Sequence, residues 1–451
     1  MLAGGLGAGA LLAMPDLSLA DRSVSRSVSS AAASSSGSPA SRYVLLYGVQ
    51  ETTGGSVAAA MNPAAKASGL PAPKAIAAQL AALPVSSPDQ SSVAMVTAAE
   101  VSGGAKVTLT LVNSATAVVE KTGSLTITGV AEGTNIIATP VFAAGTTTIA
   151  LVLGVTEPTG KRTAFKTDRA TGKKVQFEAV TYVSHHELAY FDTSTGKFTG
   201  PFTLDNAPVL SKHTAAANSS DLFLWTTREP QPGQRKGSAP PLPTLSAFPL
   251  GSGQARFRTA ALMPWSGGEP VVTLPSGDIG RFVNGRTVQV ASASNGDIAQ
   301  TTIGALSAPL AKPSAVTMQT RSDGSVFLTK PGAGRAVITD PADSFRVTAQ
   351  VDFPRPPYPN GGPAQKAVLS ASGDTLYVLA GTKSGGVSAY DVTSGKLTGS
   401  YSHGDLYNGL YLLPNGHLLA VGAANPRVTF FSPDLDLLGT ASTTLQIAAA
   451  F

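Results

Sequence analysis

Five histidines, His185, His186, His213, His403 and His417, are the side chains of this 451-residue chain best suited to moving protons near neutral pH or to holding a metal. Their spacing fits no metal centre. There is no His-x-Glu, no His-Glu-x-x-His and no regular series of acidic loop residues, so no metal site is expected. His185 and His186 open a strand, where neighbouring side chains point to opposite faces and cannot chelate together; a structural or surface role is expected for both. His417 falls in the turn Asn415-Gly416-His417 and is given no functional role.

The segment SHGDLYNGLY (402–411) groups His403, Asp405 and Tyr407, and VLSKHTAAANSSD (209–221) carries His213 in a comparable connection. These four are the candidate ligand-binding residues, and the competing expectation is that they satisfy loop backbone. No catalytic residue is assigned, because there is no Gly-x-Ser-x-Gly elbow or phosphate-binding loop and nothing singles out one serine. With no cysteine, disulfides, thiolate metal sites, a cysteine nucleophile and a lipidated N-terminal cysteine are excluded. No cofactor is expected.

Whether those side chains can meet depends on the elements that carry them. Only 13% of the residues are charged, while 47 Gly and 32 Pro punctuate a chain otherwise rich in Ser, Thr, Ala and Val, which suits many short strands joined by many turns. The turn signals Ser276-Gly277-Asp278, Asp323-Gly324-Ser325, Ser372-Gly373-Asp374 and Asn415-Gly416-His417 each precede an apolar run, and their glycines lie 47, 49 and 43 residues apart. A period of this length marks propeller blades, each reading strand, tight turn, strand, loop, strand, turn, strand. The segments Phe191–Gly200 and Tyr390–Gly399 share Asp, Gly, Lys, Thr and Gly at matching positions; the Asp is expected to accept turn N–H groups and the first Gly to close the turn.

The expected fold is therefore all-β: a single β-propeller of four-stranded antiparallel blades, seven blades in the first instance and eight as the alternative. Two closures stand open. Residues 43–61 complete the last of seven blades, or the terminal LQIAAAF adds the missing strand to an eighth. In either ring the connections bearing His213, His403, Asp405 and Tyr407 line one mouth of the central channel. Residues 229–243 and 157–178 are expected to protrude as insertions.

Residues 1–20 read as a signal peptide, with an apolar run from Leu2 to Met14 and Ser18 and Ala20 before Asp21. Residues 21–41 read as a flexible Ser/Ala-rich linker and 42–451 as the propeller domain. An extracytoplasmic location, reached by a Sec or twin-arginine-type leader, follows. Residues 161–174 concentrate six cations with only Asp168 to offset them; this run suits an anionic polymer such as a cell-wall glycopolymer or, more plainly, a solvated hairpin loop. The net charge of +5 is too weak to argue for nucleic acid.

Residues 368–402, VLSASGDTLYVLAGTKSGGVSAYDVTSGKLTGSYS, resemble the YVTN-type repeats of bacterial propellers, in which a Ser-Pro-Asp-Gly-like turn precedes a Tyr-Val strand and then a Val-x-x-Asp-x-x-Thr-Gly-Lys turn. That resemblance implies a propeller related to lactonase-like proteins. The same turn is similar to the docking repeat of quinoprotein propellers at Ala389, Asp391, Ser394, Gly395 and Lys396, but Gly399 replaces its Trp, so no pyrroloquinoline quinone is expected. The function expected is a non-catalytic binding or envelope-associated propeller, monomeric, for a protein, glycan or small-molecule ligand, without nucleic acid or a transmembrane segment. The alternative is a lactonase-like or other hydrolytic propeller with its site at the channel mouth.

Overall fold

The computed structural model describes residues 44–50, 56–61, 74–78, 80–167, 172–204, 211–228, 242–261, 269–306, 316–321, 323–330, 333–354, 366–379, 386–402, 407–422, 427–443 and 445–451. These form eight four-stranded antiparallel sheets. Seven are built from consecutive strands: blade 1 (85–128), blade 2 (135–203), blade 3 (211–260), blade 4 (271–302), blade 5 (317–352), blade 6 (367–401) and blade 7 (407–442). Blade 8 joins the two ends of the chain. Its innermost strand, Leu445–Ala450, pairs with Val44–Gln50, and Ser56–Met61 and Lys74–Ala78 complete it outward. Seven blades was the first expectation and eight is the count. The terminal LQIAAAF makes its own ladder with 46–50, giving the N-terminal unit the strand it lacked.

The strands form where turn chemistry and apolar runs coincide. In the turns of blades 4, 5, 6 and 7, Gly277, Gly324, Gly373 and Gly416 all take φ near +80° (83°, 83°, 82° and 80°), a backbone region that costs glycine nothing. The paired Asp turns also fold as read. Asp192 accepts the Ser194 N–H at 2.8 Å, Asp391 accepts the Ser394 N–H at 2.6 Å, and Gly196 and Gly395 close the two turns. The hydroxyl of Ser194, seconded by its N–H, holds the Asp192 carboxyl down to about 2, and the side chain of Ser394, seconded by its N–H, lowers that of Asp391, because these bonds favour the ionised form.

No blade can hide both of its faces alone, and the burial pattern shows how they are covered. Eight apolar layers occur, between blades 1 and 2, 2 and 3, 3 and 4, 4 and 5, 5 and 6, 6 and 7, 7 and 8, and 8 and 1. Eight sheets in an open stack would share seven such layers; the eighth closes the ring. Packing Leu45 and Phe451 of blade 8 against Val93 and Met95 of blade 1 supplies that last interface. Inner strands are also latched directly: Thr273 Oγ1 donates to the Ala217 carbonyl and Thr320 Oγ1 to the Thr273 carbonyl, both at 2.8 Å.

In a four-stranded antiparallel blade, the turns joining strands 1 to 2 and 3 to 4 fall at one end, and the hairpins joining strands 2 to 3, with the links to the next blade, fall at the other. Among the described residues the second end carries His213 and Tyr407, each near the start of a first strand. Among the described residues no helix is long and apolar enough to cross a membrane.

Candidate functional site

Blade 2 departs from its neighbours. Its second and third strands, Thr148–Thr167 and Lys174–Asp192, run 20 and 19 residues, against ten for each central strand of blade 1, eight and six for those of blade 3, and five or six for those of blades 4 to 7. The first strand of the blade stops pairing at Asn135–Thr156 and the fourth at Glu187–Thr203. From Glu157–Val183 to Thr167–Lys174 the two long strands therefore have only each other: a two-stranded ribbon of about 35 Å at roughly 3.3 Å per residue, standing beyond the sheet. The expected insertion at 157–178 is this ribbon, whereas 229–241 of the other expected insertion lies outside the described residues.

Register separates the faces of the ribbon. Arg162, Ala164, Phe177 and Ala179 share one face, on which Ala164 and Ala179 are buried. Lys161, Thr163, Phe165 and Thr167 on one strand, with Lys174, Gln176 and Glu178 on the other, share the opposite face, and all seven are exposed. Phe165 keeps 59% of its surface in water, and Lys161 pairs with Glu178 at 3.3 Å.

At the root of the ribbon the histidines separate as strand alternation requires. His185 turns toward blade 1's side, its Nδ1 3.5 Å from Glu157 Oε1 and its Nε2 3.4 Å from Glu187 Oε1. His186 turns the other way, toward blade 3, where its ring meets that of His213 edge-on at 5.0 Å. His213 Nε2 shares a hydrogen bond of 2.8 Å with the Thr139 hydroxyl. The imidazole fits because residue 154, directly opposite His186 in the ladder, is glycine: a Cβ there would lie 3.0 Å from His213 Cε1. Burial lowers His186 to about 4, with His185 adding to the shift, and burial lowers His213 to about 3, with His186 adding. Both are neutral at physiological pH, and among the described residues His186 Nε2 has no hydrogen-bond partner.

The four candidate residues are distributed differently from one another. His213 lies between blades 2 and 3. Tyr407 is 4% exposed in the layer between blades 6 and 7, where its ring packs edge-on against Phe431 and its hydroxyl donates to Thr429 Oγ1 at 3.3 Å. Those two layers are four interfaces apart in a ring of eight. His403 and Asp405 lie outside the described residues. His417 makes a local contact with Asn415 at 3.2 Å.

Sequence reasoning missed a second buried polar group. Arg281, 2% exposed, lies in the face of blade 4 that meets blade 3, with Glu269 Oε2 3.6 Å from its Nη2 and Gln289 Oε1 3.5 Å from its Nη1. Burial lowers the guanidinium's affinity for its proton, and Glu269 opposes that shift. The available signal was in the alternation. Ile279, Arg281 and Val283 share a face with Thr287, Gln289 and Ala291, and only the middle pair is strongly polar. Elsewhere, a shallow groove of about 900 Å³ opens on the rim between blades 2 and 3, lined by Phe202, Gly253, Gln254 and Arg258, and among the described residues Arg258 is the one titratable group in its lining.

No protein-family profile matches the chain, and no curated protein sequence matches it. Solved structures resemble it in outline. A Bacteroides fragilis protein with a provisional 6-phosphogluconolactonase name is 15% identical, with 93% of this chain and 99% of that one covered, at a TM-score of 0.40. A Bacteroides uniformis protein with the same provisional name is 14% identical over 76% and 94%, at 0.39, and Kluyveromyces lactis Hsv2 is 9% identical over 81% and 99%, at 0.43. The propeller assignment rests on the eight sheets and eight closed layers of this chain.

Proposed function

We propose that this chain is an exported binding propeller, of the YVTN-like kind that residues 368–402 resemble, which presents its ribbon-bearing side to a partner in the cell envelope. The observation that carries this reading is the ribbon. Ordering a residue costs about 1–2 kcal/mol of backbone entropy. The ring is already closed by its eight layers without residues 157–183, and an isolated two-stranded hairpin is marginal in water. A sheet extended so far past its blade, with Phe165 facing solvent, is suited to contact with something else. The apolar run from Leu2 to Met14 supports export.

The lactonase-like alternative draws on His213, His403 and Asp405 at the channel mouth. Of these, His213 already gives its Nε2 to Thr139.

Two measurements test the proposal. The full chain should be retained on insoluble envelope material, and a version with residues 159–181 replaced by Asn-Gly should keep its β-rich circular dichroism and cooperative unfolding yet lose that retention. Equal retention of the shortened chain overturns the proposal. So does hydrolysis of a panel of lactones that is abolished by His213→Ala.

A further inference from the structure

We propose that the exposed face of the ribbon docks a linear anionic polysaccharide, an inference that rests on the ribbon being the contact surface of a binding propeller. The charge is local. Residues 161–174 carry Lys161, Arg162, Lys166, Arg169, Lys173 and Lys174 against Asp168, a local charge of +5 that equals the formal excess of the whole chain. Outside that stretch cations and carboxylates are equal in number, so the local excess of positive charge lies in the ribbon sequence, and on its exposed face Lys161 and Lys174 stand against Glu178 alone.

The chemistry of the exposed row narrows the polymer class. Phe165 sits between Thr163 and Thr167 on its own strand and opposite Gln176, with Lys174 at the far end and the Lys161–Glu178 pair at the near end. An aromatic ring offers a flat apolar surface to the CH face of a sugar, the hydroxyl and amide groups beside it match sugar hydroxyls, and the lysines meet occasional acid groups. A lipid surface fits less well, since seating Phe165 would drag Thr163, Gln176 and Glu178 out of water with a single aromatic residue in return. The close-set phosphates of nucleic acid fit less well too, because Glu178 lies within the row and already holds Lys161.

The test titrates the full chain with polygalacturonate, which has one carboxylate per sugar, and with hyaluronate, which has one per two sugars, using neutral dextran as the control, at low ionic strength. Binding to at least one anionic polymer and not to neutral dextran is expected, weakening as salt is raised. Phe165→Ser and the double variant Lys161→Ser/Lys174→Ser should each weaken it about tenfold, the equivalent of 1.4 kcal/mol. Every substituted side chain is exposed, so circular dichroism and the unfolding midpoint should not move. Binding to neither anionic polymer, or binding that both variants leave intact, overturns the inference. Tighter binding to a single-stranded oligonucleotide or to anionic phospholipid vesicles overturns it as well. Envelope retention that depends on the ribbon but survives Phe165→Ser would remove the polysaccharide and leave the binding propeller standing, whereas ribbon-independent retention removes both.

Discussion

Two adjoining layers of the ring bury polar side chains by opposite means. Between blades 2 and 3, His186 and His213 are enclosed as neutral imidazoles, and a glycine makes the room. Between blades 3 and 4, Arg281 is enclosed as a cation and brings Glu269 and Gln289 with it. The difference follows from intrinsic proton affinity. An imidazole titrates near neutrality and gives up its charge for little, whereas a guanidinium holds its proton and must be met by a counter-charge. One layer is therefore sensitive to pH and the other to loss of a partner.

The largest effect should come from breaking the charged layer. Glu269→Ala removes the carboxylate beside the buried Arg281 guanidinium, and should lower unfolding free energy by about 3–5 kcal/mol, measured by chemical denaturation. The double variant Arg281→Met/Glu269→Leu should recover most of that loss. If the single substitution costs under about 1 kcal/mol, the two layers do not differ as described.

Acidification should act on the other layer. The folded values of His186 and His213, about 4 and about 3, lie below the ordinary value of 6.5, so the unfolded chain takes up protons first. Stability is complete above pH 6.5 and falls as pH drops toward 4, by at most about 1.4 kcal/mol per pH unit for each imidazole. His186→Phe should flatten the fall in denaturation midpoint between pH 7 and 5. An unchanged slope would assign the acid sensitivity elsewhere.

A steric probe sharpens the same layer at smaller cost. Gly154→Ala places a methyl group 3.0 Å from His213 Cε1 and should cost about 1–2 kcal/mol, less in a His213→Ala background. Equal costs in both backgrounds would mean the glycine serves the strand and not the ring. The smallest effect is expected on the ribbon. Glu178→Ala removes a surface pair whose side chains are 67% and 73% exposed, and should change stability by under about 1 kcal/mol.

Much of the fold could be read along the chain because its signals are local. Gly277, Gly324, Gly373 and Gly416 each announce a turn, the runs that follow become second strands, and Asp192 and Asp391 organise turns within four residues of themselves. The separation of His185 from His186 was equally legible, since alternation along one strand decides it. The blade count was not. It depends on whether 445–450 meets 46–50, a pairing of the chain ends that no local signal encodes.

The site shows the same division. His213 was noticed as a candidate, but its partners Thr139, Gly154 and His186 belong to another blade, 74, 59 and 27 residues earlier in the sequence. The basic run 161–174 was visible as composition, while its arrangement as a ribbon with Phe165 on the outer face appears only once the register is known.

What the sequence determined by itself was the repeating unit and the charge of the 161–174 run, because turn geometry and side-chain alternation act over a few residues. The tertiary structure alone decided how many units close the ring, which polar groups become neighbours across a layer and which face of the ribbon meets water. Those outcomes depend on contacts between segments distant in the chain, and they are settled only when each sheet finds another to cover it.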